Sequence, residues 1–126
     1  MSEAIQSAQY IALETFRKNG EGVKTPVWQA SEGNHTYVWT QADSWKVKRI
    51  RNNANVRLCA SDSRGTPHSD WVEAEARVVT DAAESERQVA LLRKKYGLAF
   101  RGFALMGRLR RSQHVTLEIT LSDGAA

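Results

Sequence analysis

The sequence predicts a mainly β fold: a closed or nearly closed antiparallel barrel of about six strands with a few packed helices. Three observations carry this. Short stretches of alternating apolar and polar residues recur, punctuated by turn signals such as Asn19-Gly20 and Gly33-Asn34. Connections between successive stretches are mostly too short for a parallel crossover, so neighbours must pair antiparallel. Helical spacing replaces the two-residue alternation mainly after the third strand and before the last.

The elements follow in order. Residues 2–9 read as a short helix with Ser2 as N-cap and Ile5 and Ala8 facing inward. Residues 10–17 form the first strand, with Ile11, Leu13, Thr15 and Arg17 on one face and Tyr10, Ala12 and Phe16 on the other. Asn19-Gly20 supplies the positive φ of a hairpin turn, and residues 23–30 return as the second strand. Pro26 stands inside that strand. It has no N–H for a ladder, so it marks an edge, a bulge, or backbone that faces something other than a strand. Residues 31–34 turn the chain and 35–40 form the third strand. A basic helix follows and ends at the asparagines of 52–55, which tolerate a left-handed conformation. Residues 56–62 are a strand and 63–67 a loop. Residues 71–79 alternate as a long strand, with Glu73, Glu75 and Arg77 sharing a face. Asp81 or Thr80 caps a helix over 82–96, where Val89, Leu92 and Tyr96 fall at helical spacing and Gly97 ends it. A second helix is expected over 98–109, with Arg108, Arg110 and Arg111 suited to its C-terminal dipole. Residues 114–121 form the last strand, with Val115, Leu117, Ile119 and Leu121 on one face.

The chain is long enough, at 126 residues, for one domain with a modest core. Its 41% hydrophobic and 25% charged content argues against disorder. A thin core of this kind is often completed by a second copy, so a homodimer is expected. Cys59 is the only cysteine, which excludes an internal disulfide and a cysteine-based metal cage and points to a buried, inert thiol. Without a basic-then-apolar leader or an apolar run long enough to cross a bilayer, the protein is expected to be soluble and cytoplasmic, with no membrane partner.

The net charge of +4 is unevenly spread. Residues 44–64 hold Lys46, Lys48, Arg49, Arg51, Arg57 and Arg64 against Asp62 alone, so this window is more basic than the whole chain. The excess fits nucleic acid, an anionic membrane or a phosphorylated ligand. No aromatic nucleic-acid motif accompanies it. Asp43 or Ser44 caps the helix that follows the third strand, and Val47 and Ile50, three apart, share its buried face. Lys46 lies in the first turn, where a cation opposes the positive end of the helix dipole. A phosphate there reverses the penalty, because free N–H groups, dipole and ammonium converge on it. Without such a ligand, a charge run of this kind is an ordinary solvated face.

Catalytic motifs are sparse. The sequence holds no glycine-rich phosphate loop, paired-histidine metal motif or nucleophile elbow. His35, His68 and His114 are scattered and read as turn or surface residues. Glu73 and Glu75 read as structural partners of Arg77 or of a second subunit. No protein nucleophile or metal site is expected, so the chain is either a binding module or an enzyme whose chemistry resides in a cofactor.

Several stretches in order resemble one family: residues 13–17 (LETFR), 25–28 (TPVW), 37–40 (YVWT) with 44–51 (SWKVKRIR), 71–73 (WVE) and 115–120 (VTLEIT). Together they resemble the pyridoxamine 5′-phosphate oxidase-like superfamily, whose fold is the FMN-binding type of split barrel, and within it the flavin/deazaflavin oxidoreductase branch that contains F420-dependent enzymes. The resemblance spans residues 10–121. It implies a homodimer with cofactor sites at the subunit interface and a ring lying along Lys24, Thr25, Pro26, Val27 and Trp28. It places the phosphate at Thr40, Ser44 and Lys46, and makes Lys48, Arg49 and Arg51 candidates for the acidic tail of F420. Trp71 and Glu73 match a stretch that reaches the ring from the other subunit. Trp45 stands where relatives often carry Gly or Arg, so it either narrows the phosphate pocket or stacks on the ligand; Ala54 replaces a common Pro.

The implied activity is hydride transfer from reduced F420 to a small unsaturated substrate. The alternatives are an FMN-dependent oxidoreductase of the same fold, a non-catalytic carrier of flavin, deazaflavin or haem, and a nucleic-acid-binding barrel using the basic helix. Of these, nucleic acid is not the expected partner.

Overall fold

The computed structural model describes residues 2–97 and 114–121. The elements are α1 (Ser2–Ser7), β1 (Tyr10–Phe16), β2 (Gly22–Trp28), β3 (Ala30–Glu32), β4 (His35–Gln41), α2 (Trp45–Asn52), β5 (Asn55–Ser61), β6 (Val72–Val79), α3 (Ala82–Tyr96) and β7 (His114–Leu121). The strands form one sheet in the order β2-β1-β5-β6-β7-β4-β3, and every pairing is antiparallel. The helix expected over 98–109, with Arg108, Arg110 and Arg111, lies outside the described residues.

The sequence expectation of about six strands becomes seven because residues 23–30 are not one strand. Trp28 ends β2 at one edge of the sheet, and Ala30 begins β3 at the other. Gln29 alone joins them, so the sheet must curl until its edges meet. That is how the barrel closes. The turn expected over 31–34 shrinks to Gly33-Asn34, with Gly33 at φ 61°, because Ser31 and Glu32 pair with Thr36 and His35.

Inward-pointing residues of this curled sheet make one core. Ile11, Leu13, Val38, Val56, Leu58, Val72, Leu117 and Ile119 are all buried in it. Val47 and Ile50 of α2 join the same cluster, as their three-residue spacing predicts. Burial of each is worth roughly 1.5–3 kcal/mol, which holds α2 on the barrel despite its run of cations. The face alternation expected for β1 is hidden: Ala12 and Glu14, pointing outward, are as buried as Leu13. Arg57 opposite Glu14 on β5 accounts for the carboxylate, with Nη2 2.6 Å away. Cys59 is buried, and burial pushes its thiol up.

α3 packs outside β3, β4 and β7, where Leu92 and Ala30 make a second small cluster. Its N-cap is Asp81, which accepts the Glu84 N–H at 2.9 Å, and Gly97 at φ 58° ends it. Arg77 does not pair with Glu73 or Glu75. It donates to Glu118, its register partner on β7, and pairs with Glu84 of α3. No helix among the described residues is long and apolar enough to cross a membrane.

Candidate functional site

The closure at Gln29 leaves a seam. β3 has three residues and covers β4 only at His35, Thr36 and Tyr37. Beyond Tyr37, β4 has no strand neighbour on that side among the described residues until it reaches β2, whose own outer edge carries Pro26. Of the readings open for Pro26, the structure adopts the edge: the missing N–H belongs to a strand that, among the described residues, pairs with β1 alone. The two strands are held together at Trp28 and Ala30 and part from there. α2 starts at the far end, since Gln41 leads through a tight turn, closed by the Ser44 N–H to Gln41 C=O bond at 3.1 Å, into the helix.

A cavity of about 350 Å3 occupies the seam. Pro26, Val27 and Trp28 line one wall, and Trp39, Thr40 and Gln41 the other. Lys46 stands at the helix end, while Tyr10, Leu92 and His114 complete the lining. The rings interlock: Trp28 stacks on Tyr96 with centroids 4.7 Å apart and meets Tyr10 edge-on, and Trp39 stacks on His114 at 4.0 Å. One end of the cavity is therefore flat and aromatic.

The other end is poor in anions. Lys46 is half-buried and has no ion-pair or hydrogen-bond partner among the described residues. Its ammonium is held below the ordinary lysine range by burial first and by Arg49 second. Ser44 is the N-cap residue of α2, yet its Oγ bonds no helix N–H and is buried without a partner. Thr25 Oγ1, on β2 beside Pro26, is likewise buried and unpartnered. An orphaned hydroxyl of this kind costs about 1–3 kcal/mol. A desolvated ammonium, an idle N-cap hydroxyl and free helix N–H groups fit the phosphate of a ring-bearing cofactor.

The residues picked out in the sequence fall into separate groups. Pro26, Val27, Trp28, Thr40 and Lys46 line the seam cavity, whereas Thr25 and Ser44 line neither it nor the second cavity. Trp45, Lys48 and Arg49 line another, of about 400 Å3, together with Phe16, Arg17, Lys18 and Asn52. Trp45 therefore does not narrow the seam; it turns outward and is 70% exposed. Arg49 Nε donates to Thr15 Oγ1 at 2.6 Å, and Lys48 sits 4.4 Å from the Trp45 ring. Arg51 lines neither cavity and is exposed. At about 100° per residue, α2 cannot turn successive cations toward one point. Lys24 and Trp71 lie outside the barrel, where the Lys24 ammonium and the Arg57 guanidinium flank the Trp71 ring at 5.2 and 5.4 Å. Glu73 continues that row as the register partner of Arg57. Tyr10, Trp39, Gln41, Leu92 and His114 were not anticipated in the seam. His114 arrives there because β7 pairs with β4 in the register Gln41 to His114, for which no local signal exists. No cluster of metal-ligating side chains occurs among the described residues.

A family description for pyridoxamine 5′-phosphate oxidase matches residues 1–124. The chain belongs to that family. No curated protein matches it in sequence. Solved structures similar to this oxidase-family chain share its fold at low identity. The haem storage protein HutZ from Vibrio cholerae has a TM-score of 0.71 at 12% identity, with 96% of this chain and 87% of the other covered. A FAD-binding protein from Mesorhizobium loti gives 0.64 at 14%, with 96% and 84% covered. A Clostridium acetobutylicum protein of the pyridoxinephosphate oxidase family, related to general stress protein 26, gives 0.68 at 15%, with 95% and 80% covered. The split-barrel architecture expected from the sequence is thus the fold of the family.

Proposed function

We propose that the seam binds a phosphate-bearing flavin-type cofactor and that the protein is an oxidoreductase, with F420 the first choice and FMN the alternative. The observation that carries this is Lys46, desolvated and without a carboxylate among the described residues, at one end of an aromatic-walled slot; the Ser44 hydroxyl, buried and unpartnered at the head of the same helix, lies two residues before it in the chain and does not itself line the slot. When bound, such a cofactor supplies the hydride chemistry; the protein supplies position and an anion anchor. Pro26 to Trp28 and Trp39 form walls for a flat ring, and Lys46 with the helix N-terminus at Ser44 holds the phosphate. The preference for F420 rests on the resemblance to the deazaflavin branch; of the cations beyond Lys46 along α2, Lys48 and Arg49 line the second cavity and Arg51 lines neither, so an acidic tail meets them only if it leaves the seam.

We further propose a homodimer in which the outer row of Lys24, Trp71, Arg57 and Glu73, of which Trp71 and Arg57 are half-buried, meets the second copy; sedimentation equilibrium gives the mass. Parallel fluorescence titrations with F420 and FMN test the cofactor. Tighter binding of F420 is expected. Tighter FMN binding overturns the F420 preference, and binding of neither by folded protein overturns the flavin reading. A haem carrier is the second reading, favoured by one observation: the His114 imidazole lines the slot, stacked on Trp39. Titration with haemin, followed through its Soret band, separates the two.

A further inference from the structure

The second cavity has a chemistry that the seam does not account for. Arg17 and Lys18, at the end of β1 and the turn after it, face Lys48 and Arg49 of α2 across about 400 Å3. None of the lining residues is a carboxylate. Among the described residues Arg17 has Glu21 alone as a carboxylate partner, at 3.8 Å between two exposed side chains. Arg49 has its Nε on Thr15 and its terminal nitrogens without a carboxylate among the described residues. Burial and, after it, the neighbouring Arg17 charge hold the Arg49 guanidinium below its usual range. Trp45 stands at the same cavity, the one large hydrophobic side chain among the described residues that is strongly exposed.

Both features are unfavourable by themselves. Four cations gather with the exposed Glu21 as their one carboxylate partner among the described residues, and an indole stands largely in water with Lys48 over its ring. A small inorganic anion relieves the first and leaves the second; an apolar ligand does the reverse. A ligand with phosphates on one side and a flat ring on the other relieves both. We propose that this cavity is a nucleotide site, with the phosphates against Arg17, Lys18, Lys48 and Arg49 and the base stacked on Trp45. The volume lies in the range of sites that hold small molecules. Lys46 is not part of it, because it lies about 100° around α2 from Trp45. A free nucleoside diphosphate and the nucleotide half of a dinucleotide such as FAD offer the same chemistry.

The test is calorimetric titration of the full chain with ADP, adenosine and tripolyphosphate, in wild type and in Trp45→Ala, Lys48→Ala and Ser44→Ala. ADP is expected to bind more tightly than adenosine. Trp45→Ala should weaken ADP about tenfold and leave tripolyphosphate unchanged, Lys48→Ala should weaken both, and Ser44→Ala neither. Trp45 and Lys48 are exposed, and unchanged melting temperatures check that the variants fold. ADP that still binds FMN-saturated protein identifies a free nucleotide. An FAD-over-FMN preference that disappears in Trp45→Ala identifies a dinucleotide. No ADP binding at millimolar concentration overturns the proposal, as does ADP binding indifferent to Trp45→Ala, which marks a general anion patch. F420 binding weakened by Trp45→Ala and Lys48→Ala, with no ADP binding, assigns the cavity to the acidic tail instead. Failure of FMN and F420 to bind leaves the ADP result readable by itself.

Discussion

Replacing Gln29 with leucine tests how the barrel is closed. Gln29 is fully buried, and its side chain ties three segments together. Nε2 donates to the carbonyls of Ile5, at 2.6 Å, and Ala8, at 2.7 Å, and Oε1 accepts from Ser31 Oγ at 2.5 Å. Leucine keeps most of the volume and removes all three bonds. Ser31 retains a second contact with Thr36 Oγ1 at 3.3 Å, so its hydroxyl is not orphaned. The Ile5 carbonyl has a second bond from the Ala8 N–H at 3.2 Å, and the Ala8 carbonyl one from Lys95 Nζ at 2.7 Å. Each lost bond then costs about 1 kcal/mol net, without the larger penalty of a stranded group, so the total is about 3 kcal/mol. For a chain of this length that corresponds to a fall in melting temperature of roughly 10 °C. The backbone of Gln29 stays anchored in the variant. Its N–H donates to Tyr96 Oη at 3.1 Å, and its carbonyl accepts from Tyr96 and Lys95. Tyr96 is pushed up to about 12 by burial first, so its phenol remains a donor at any ordinary pH. Urea unfolding of wild type and Gln29→Leu measures the difference. A loss under about 1 kcal/mol would show that the joint does not depend on the amide.

Two further outcomes concern the anion end of the seam. Ser44→Ala removes a buried hydroxyl that bonds nothing, so the free protein should be as stable as wild type or up to about 1 kcal/mol more so, while phosphate-bearing cofactor binds about tenfold more weakly; thermal melts and FMN titration read the two signs separately. Lys46 has a folded-state pKa below the usual 10.5, through burial and then Arg49. FMN affinity should therefore fall as pH rises through that lowered value, before an ordinary lysine titrates, and Lys46→Met should bind weakly with no such slope. Stability of the free protein runs the other way: between the lowered value and 10.5 the unfolded chain holds the extra proton, so stability rises with pH there.

What was legible in the sequence was whatever local periodicity controls. The β1–β2 hairpin, the alternation of β6, the apolar spacing of α2 and the Asp81 cap of α3 all follow from neighbours within a few residues. The break at Gln29 was not legible. Residues 23–30 hold no turn signal after Pro26, and nothing local says that the chain changes edges between Trp28 and Ala30. The curl of the whole sheet decides that. The site divides in the same way. Ser44, Lys46 and Thr40 lie on one strand-to-helix turn, and Pro26 announces an edge by its chemistry. Trp45 and Lys48 were grouped with Lys46 because sequence proximity hides a rotation of the helix. Leu92 and His114 reach the seam only through long-range pairing.

The single-residue crossing at Gln29 also has a consequence for what can enter the seam. Trp28 and Ala30, two residues apart in the chain, can be separated by no more than about 7 Å. They belong to opposite edges of the sheet. The gap at that end is thus limited by covalent bonds, and no repacking of side chains can widen it. At that end thickness becomes a criterion of selection, which favours a plate one ring deep over a puckered or branched molecule of equal volume. Because that limit exists before any ligand arrives, little ordering remains to be done on binding, and association should proceed without a slow opening step.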